Sequence, residues 1–350
     1  MKKLIAAAVA VAVIAPASVM AAGPTLYGKI HTSVDYKDNN GSGSANTKYT
    51  EWSLNSNSSR IGVKGSEDLG NGMKVGYLIE WSVDMDGDGS AFGERNRAVT
   101  LSGDWGTALA GKWDTPYKTV GRKLDLFGDS IGDTRNLSKN ATTDNRAPNV
   151  VAYVTPNMGG FSATLAYVFD YVPARADNSD NDAWSVNGIY NNGPILVAAA
   201  YSDYSNPNGS SATAWRIGGA FSMGDFKVLG SYTDMSDQNL VKNNDPDLWT
   251  LGASYKMGSN TIKFQYSELD DSGLKDAAGS SLKDGADMWS LGLDHAMSKR
   301  TTVYAAYAST DNNRDGSRTS WNGGHDGEGK GLGVAGEKAD SFSVGIIHKF

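Results

Sequence analysis

Few residues of this chain could do covalent chemistry. There are four histidines and no cysteine. His31, His295 and His348 fall in segments far apart in the sequence, and His325 stands beside Asp326 in a Gly-rich stretch. A hydrolase needs a His held by a carboxylate or amide within reach of a nucleophile or an activated water. Adjacent residues in an open loop rarely converge on one side, so no catalytic residue is assigned and the chain is not expected to be an enzyme. The string Asp84-Met85-Asp86-Gly87-Asp88-Gly89 has the first half of a calcium loop, but Arg95 stands where the closing Glu belongs and no helical pattern flanks it. It reads as a solvated acidic loop, with no metal site. No Gly-rich phosphate loop lies between a strand and a helix pattern, so no cofactor is expected. The formal charge of -7 gives no electrostatic reason to bind nucleic acid.

What the sequence does carry is charge sorted by parity. On alternating segments the parity opposite the bulky apolar residues holds Lys29, Arg60, Lys64, Lys74, Glu80 and Lys112, and Arg146 shares parity with Ala152. The longest connection, Thr115 to Pro148, contains Leu124-Asp125-Leu126-Phe127-Gly128-Asp129-Ser130-Ile131-Gly132-Asp133, whose apolar residues could anchor it to a wall. Folded inward, it would set Asp125, Asp129 and Asp133 opposite Arg60, Lys112 and Arg146. Opposed charges across a narrow, low-dielectric-walled space set ion preference and orient polar solutes.

The elements that would hold these charges are strands. Between Met73 and Val83 one face carries Met73, Val75, Tyr77, Ile79, Trp81 and Val83, and the other Lys74, Gly76, Leu78, Glu80 and Ser82. The same split separates Trp249, Leu251, Ala253 and Tyr255 from Thr250, Gly252, Ser254 and Lys256, and Phe342, Val344, Ile346 and Phe350 from Ser343, Gly345 and Lys349. This is the period of sheet, and sixteen such segments run from Leu26 to the end. Their connections alternate between short Gly/Asn turns, such as Asn191-Asn192-Gly193, and long loops rich in Asp, Asn, Gly and Ser. An even strand number with short turns on one side and long loops on the other predicts a closed, all-β, antiparallel transmembrane barrel. Closure is required because hydrocarbon offers no partner to a free sheet edge. Aromatics at the ends of the apolar faces (Tyr36, Trp81, Trp113, Tyr153, Tyr167, Tyr201, Tyr232, Tyr255) suit the two bilayer interfaces. About sixteen strands leave an aqueous lumen rather than a filled core.

One apolar run, Leu4 to Ala15, follows Lys2 and Lys3 and ends at Pro16, too short to span a bilayer. With the small-residue exit Val19-Met20-Ala21 it reads as a signal peptide over residues 1–21, leaving residues 22–350 as a single barrel domain. Loss of the two lysines takes the formal charge from -7 to -9. With no cysteine, an exported chain must rely on backbone pairing and packing. The first strand begins within a few residues of Ala22, which leaves no room for a plug domain and disfavours a receptor or adhesion barrel.

The run Thr25-Leu26-Tyr27-Gly28-Lys29, the segment from Ser59-Arg60-Ile61-Gly62 to Asn71-Gly72, the pair Asn96-Arg97, Asn149-Val150-Val151-Ala152-Tyr153 and the ending Val344-Gly345-Ile346-Ile347-His348-Lys349-Phe350 are, in this order and spacing, similar to the general diffusion porins of Gram-negative outer membranes. The resemblance implies a homotrimer of sixteen-stranded barrels in the outer membrane, with short periplasmic turns, long external loops and a third loop folded into each lumen. It implies contact with lipid and lipopolysaccharide, a Phe350 read by the barrel-assembly machinery, and passive diffusion of ions and small hydrophilic solutes. Residue by residue, Arg60, Arg97 and Arg146 match the basic side of the family's constriction, with Lys29 and Lys112 adjoining. Enteric members carry a Pro-Glu-Phe-Gly turn where this chain has Asp125-Leu126-Phe127-Gly128-Asp129, so the acid at the narrowest point is open. Arg97 shares parity with Val99 and Leu101, which leaves a bulge, or an inward Arg95 or Asn96, as alternatives. The sign of ion preference, and a substrate-selective channel for anions or sugars, also stay open.

Overall fold

Side chains sort opposite to those of a water-soluble protein. In the computed structural model, which describes residues 23–40, 49–87, 91–138, 141–171, 181–205, 211–321 and 333–350, Leu251, Phe264 and Val344 are about half exposed while Thr250, Ser267 and Ser343 are buried. The expected leader and the pair His325-Asp326 lie outside the described residues. The segments from Met73, Trp249 and Phe342 quoted above keep their two faces, apolar outward and polar inward. Such a continuous apolar exterior is a surface for lipid.

The strands are β1 (Thr25–Asp38), β2 (Thr50–Ser56), β3 (Arg60–Gly70), β4 (Met73–Val83), β5 (Phe92–Gly103), β6 (Gly106–Asp114), β7 (Arg146–Val154), β8 (Phe161–Val168), β9 (Ala183–Asn192), β10 (Ile195–Ser205), β11 (Ser211–Met223), β12 (Phe226–Ser236), β13 (Asp247–Met257), β14 (Asn260–Leu269), β15 (Ala286–Ala296), β16 (Thr301–Asn312) and β17 (Ala339–Lys349). They form one antiparallel sheet in chain order. β2 and β3 are two halves of one crossing, since both pair with β1, Thr32 opposite Ser56 and Lys29 opposite Arg60. The break falls at Asn57–Ser59, where Ser58 has a φ of 54° and the Asn57 N–H donates to the His31 carbonyl at 2.7 Å. The barrel therefore has sixteen crossings.

β1 closes on β17 from Lys29 opposite Lys349 to Asp38 opposite Asp340. Gly28 and Phe350 exchange both backbone hydrogen bonds, at 3.1 and 3.2 Å. The Phe350 ring lies over Gly28, in the space a Cβ would need. With its edges joined, the sheet pairs its backbone internally, the condition for crossing hydrocarbon. The short turns work as their residues foretell, with Gly193, Gly224 and Gly258 at positive φ. Aromatic pairs across neighbouring strands, such as Trp249 with Tyr266 at 5.1 Å and Trp289 with Tyr307 at 5.1 Å, band the outer wall. Trp113 departs from that band and packs against the inner-face cluster of Leu109, Ala147 and Val150.

Candidate pore constriction

The connection after β6 turns into the barrel as α1 (Pro116–Lys123), a looped acidic stretch and the single turn α2 (Arg135–Ser138). Its sequence explains the start of α1. Thr115 caps it by accepting from the Lys118 N–H at 3.3 Å, Pro116 occupies the first turn, and Arg122 and Lys123 meet the negative end of the helix dipole. The inner wall ties this segment down along its length. Asn187 donates to the Pro116 carbonyl at 2.9 Å, Gln265 accepts from the Leu126 N–H at 2.9 Å, Asn136 donates to the Ser320 carbonyl at 2.8 Å, and Arg216 reaches the Asp144 carboxylate at 3.3 Å. Tyr117, Val120, Leu124 and Leu137 add apolar contact with Ala198, Ala214 and Leu248.

Of the three expected acids, Asp129 is the one that collects cations. Its carboxylate meets Lys29 at 2.9 Å, Arg122 at 2.9 Å and Arg135 at 3.1 Å. Burial alone would raise its pKa, and these three cations outweigh burial and hold the carboxyl well below the usual carboxylate range. Asp133 pairs with Arg135 at 2.5 Å and accepts from the Asp129 N–H at 2.7 Å, bracing the turn. Asp125 accepts from the backbone of Phe127 and Thr134 and from Gln265, and thereby fastens the loop to β14. Asp125, Asp129 and Asp133 are thus engaged with the loop itself, the wall behind it and Lys29. None of them forms an ion pair with Arg60, Lys112 or Arg146.

Those cations find nearer acids. Arg60 lies 3.4 Å and Arg95 2.5 Å from the Glu80 carboxylate, to which the Tyr27 hydroxyl also donates at 3.2 Å. Arg146 pairs with Asp114 at 3.1 Å and donates to Asn96 at 2.6 Å. The β4–β5 register shifts between Ile79 and Trp81, so that two residues, Arg95 and Asn96, stand opposite Glu80. This bulge turns both toward the lumen and settles the alternative left open at Arg97.

Arg97 and Lys112 are not in this group, which corrects the expected placement of both. They sit opposite each other in register, on the parity of the exposed Val99 and Ala110, and pair with the exposed Glu94 at 3.4 and 2.6 Å. The expectation put Lys112 inward and Trp113 on the outer face, but Trp113 packs with Leu109 on an apolar patch of the inner face. The alternation on β6 is real and its sides are exchanged. Substituting Lys112→Ala should therefore leave ion selectivity in bilayer recordings at the wild-type value, whereas Arg95→Ala should move it.

Arg95 was visible in the sequence only as an alternative, and Arg122 and Arg135 were not singled out. Their signal was their spacing around the acidic stretch, seven residues before and six after Asp129. The histidines are separate: His31 meets the Tyr304 hydroxyl at 2.9 Å, His295 meets Asn260 and His348 meets Thr301.

Comparison with known proteins agrees with this architecture. A family model described as Gram-negative porin matches residues 6–315. Outer membrane porin protein 32 of Delftia acidovorans is 32% identical over 224 residues, covering 61% of this chain and 62% of that protein. Major outer membrane protein P.IB of Neisseria gonorrhoeae is 29% identical over 184 residues, half of each chain. The chain thus spans between half and about three fifths of the length of these curated relatives. Among solved structures, an anion-selective porin from Comamonas acidovorans superposes with a TM-score of 0.74 at 27% identity, over 93% of this chain and 99% of that one. OmpT of Vibrio cholerae shares the fold, with a TM-score of 0.69 at 18% identity over 93% of this chain and 97% of that one.

Proposed function

Because the chain belongs to the Gram-negative porin family and folds as an outer-membrane β-barrel, we propose that it is a water-filled channel for passive diffusion of ions and small hydrophilic solutes, with a preference for anions. Family and fold both point to a channel rather than an enzyme. The observation that carries the anion preference is the sharing of carboxylates across the constriction. Glu80 serves two arginines and Asp129 three cations, so the cations Lys29, Arg60, Arg95, Arg122, Arg135 and Arg146 outnumber the acids they pair with, Glu80, Asp114, Asp129 and Asp133. Excess positive charge in a narrow passage raises the local anion concentration whatever the charge of the whole chain, because screening confines the chain's acidic loops to about 10 Å. The similarity to an anion-selective porin supports the same sign.

In this reading residues 1–21 are an export leader and residues 22–350 the barrel. Three copies form the working unit in lipid and lipopolysaccharide, and Phe350 presents its ring to the assembly machinery. Single-channel recording in planar bilayers under a salt gradient tests the function. Conductance steps in groups of three with a reversal potential of anion sign are expected. Absence of steps would remove the channel reading, and a cation-signed potential would remove the proposed preference.

A further inference from the structure

The inner wall facing the loop has a row of missing side chains. Gly218 on β11, Gly252 on β13 and Gly292 on β15 all point inward, on alternate strands of one sheet. Each is occupied from the loop side. A Cβ on Gly218 would stand 2.6 Å from Leu124 Cδ1, one on Gly252 3.0 Å from Leu126 Cδ1, and one on Gly292 2.7 Å from Phe127 Cε1. The three glycines are in ordinary strand conformation, without positive φ, so the backbone does not require glycine at any of them. Glycine inside a strand weakens it and marks a place where something else approaches closely. Here that is the loop, and the order matches: Leu124, Leu126 and Phe127 along the loop meet β11, β13 and β15 in turn. Gln265 on β14, between the second and third seats, holds the Leu126 N–H and the Gly132 carbonyl, so polar contacts keep the same register.

We propose that this glycine track sets the width of the pore: Gly218, Gly252 and Gly292 let the loop sink into the wall, and any side chain there would move Asp129, Arg122 and Arg135 toward the Arg60–Glu80–Arg95 side. The inference rests on the channel reading. The seats are tight, since carbon contacts relax to roughly 3.5–4.0 Å. At Gly292 the obstructing atoms are all side chains, Phe127 and Lys263, so a methyl group there acts on the loop rather than on the strand. Gly218 is the poorest place to test, because a Cβ would also meet the Gly230 carbonyl at 2.5 Å.

The test is the single-channel conductance of Gly292→Ala and Gly252→Ala, each alone and paired with a smaller loop residue, Phe127→Leu or Leu126→Ala. Displacing the loop by about 1 Å in a close-packed wall should lower conductance by roughly a fifth to a third in each glycine variant. The matching loop truncation should return it to the wild-type value. Gly188→Ala, on the outward face of β9 where a Cβ makes only ordinary contact with Phe161, should change nothing. Unchanged conductance in both glycine variants would overturn the proposal, as would a fall that the paired truncation does not reverse. A wild-type protein that forms no pores would instead sink the channel reading. The two failures are distinguishable because wild type and variants are recorded side by side.

Discussion

Replacing Arg60 and Arg95 together by alanine should turn the channel toward cations. The pair supplies the positive side of the wall opposite the loop, and both depend on one carboxylate, Glu80, at 3.4 and 2.5 Å. Their removal leaves Glu80 with only the Tyr27 hydroxyl as partner among the described residues and exposes its negative charge to the passage. A unit charge a few ångströms from a permeating ion is worth on the order of 1 to 4 kcal/mol between bulk water and a protein surface. Two lost cations and one uncovered anion should thus shift the anion-to-cation permeability ratio by roughly tenfold or more. The reversal potential in a salt gradient reads this directly. The shift should shrink in molar salt, where the screening length drops to about 3 Å. Arg60→Lys with Arg95→Lys should keep the wild-type sign, because charge and not guanidinium geometry carries the effect. A double alanine variant with unaltered selectivity would place the basic side of the pore elsewhere.

Asp129→Ala should loosen the loop without unfolding the barrel. Asp129 is nearly fully buried and joins Lys29 on β1 to Arg122 and Arg135 on the loop. Arg135 keeps Asp133, but Lys29 and Arg122 lose their only ion-pair partner among the described residues. Removing one member of a buried pair costs about 3–5 kcal/mol, and the partial exposure of Arg122 puts this case at the low end. That cost falls on the loop, whose other ties to the wall remain. Noisy open-state current and faster proteolysis within residues 115–145 are expected, with the thermal transition of the barrel little changed. The effect has a pH signature. The folded carboxyl titrates below its unfolded value, so its contribution is fully present near neutral pH and is lost as pH falls through the depressed value. The difference between wild type and Asp129→Ala should therefore hold steady down to about pH 4 and close only in stronger acid. A difference that disappeared around neutral pH would assign the anchoring to another group.

How far the sequence could be read depended on the range of the forces involved. The barrel was legible because strand parity is local: the pleat sends successive side chains to opposite faces, so Trp249, Leu251 and Tyr255 declare an apolar side without knowledge of any neighbour. Strand number and closure were read from the same pattern, and the structure has them. Arg60, Arg146 and Lys29 were found by that parity rule, and the acidic stretch by its mixture of Asp with Leu, Phe and Ile.

What tertiary structure alone decided was which charge meets which. A bulge opposite Glu80 carries Arg95 inward, and nothing within β5 reports that β4 is one residue short at that point. Leu109 and Trp113 pack inside, so the face of β6 was exchanged and Lys112 with it, because an apolar side chain can be covered by protein as well as by lipid. Asp129 gathers its three cations, and Asp125 and Asp133 do not face Arg60, because the loop is seated by Leu124, Leu126 and Phe127 on glycines of β11, β13 and β15, far along the chain. Alternation is written residue by residue, whereas bulges, loop docking and ion pairing are settled by contacts between distant segments, whose geometry exists only once the barrel has closed.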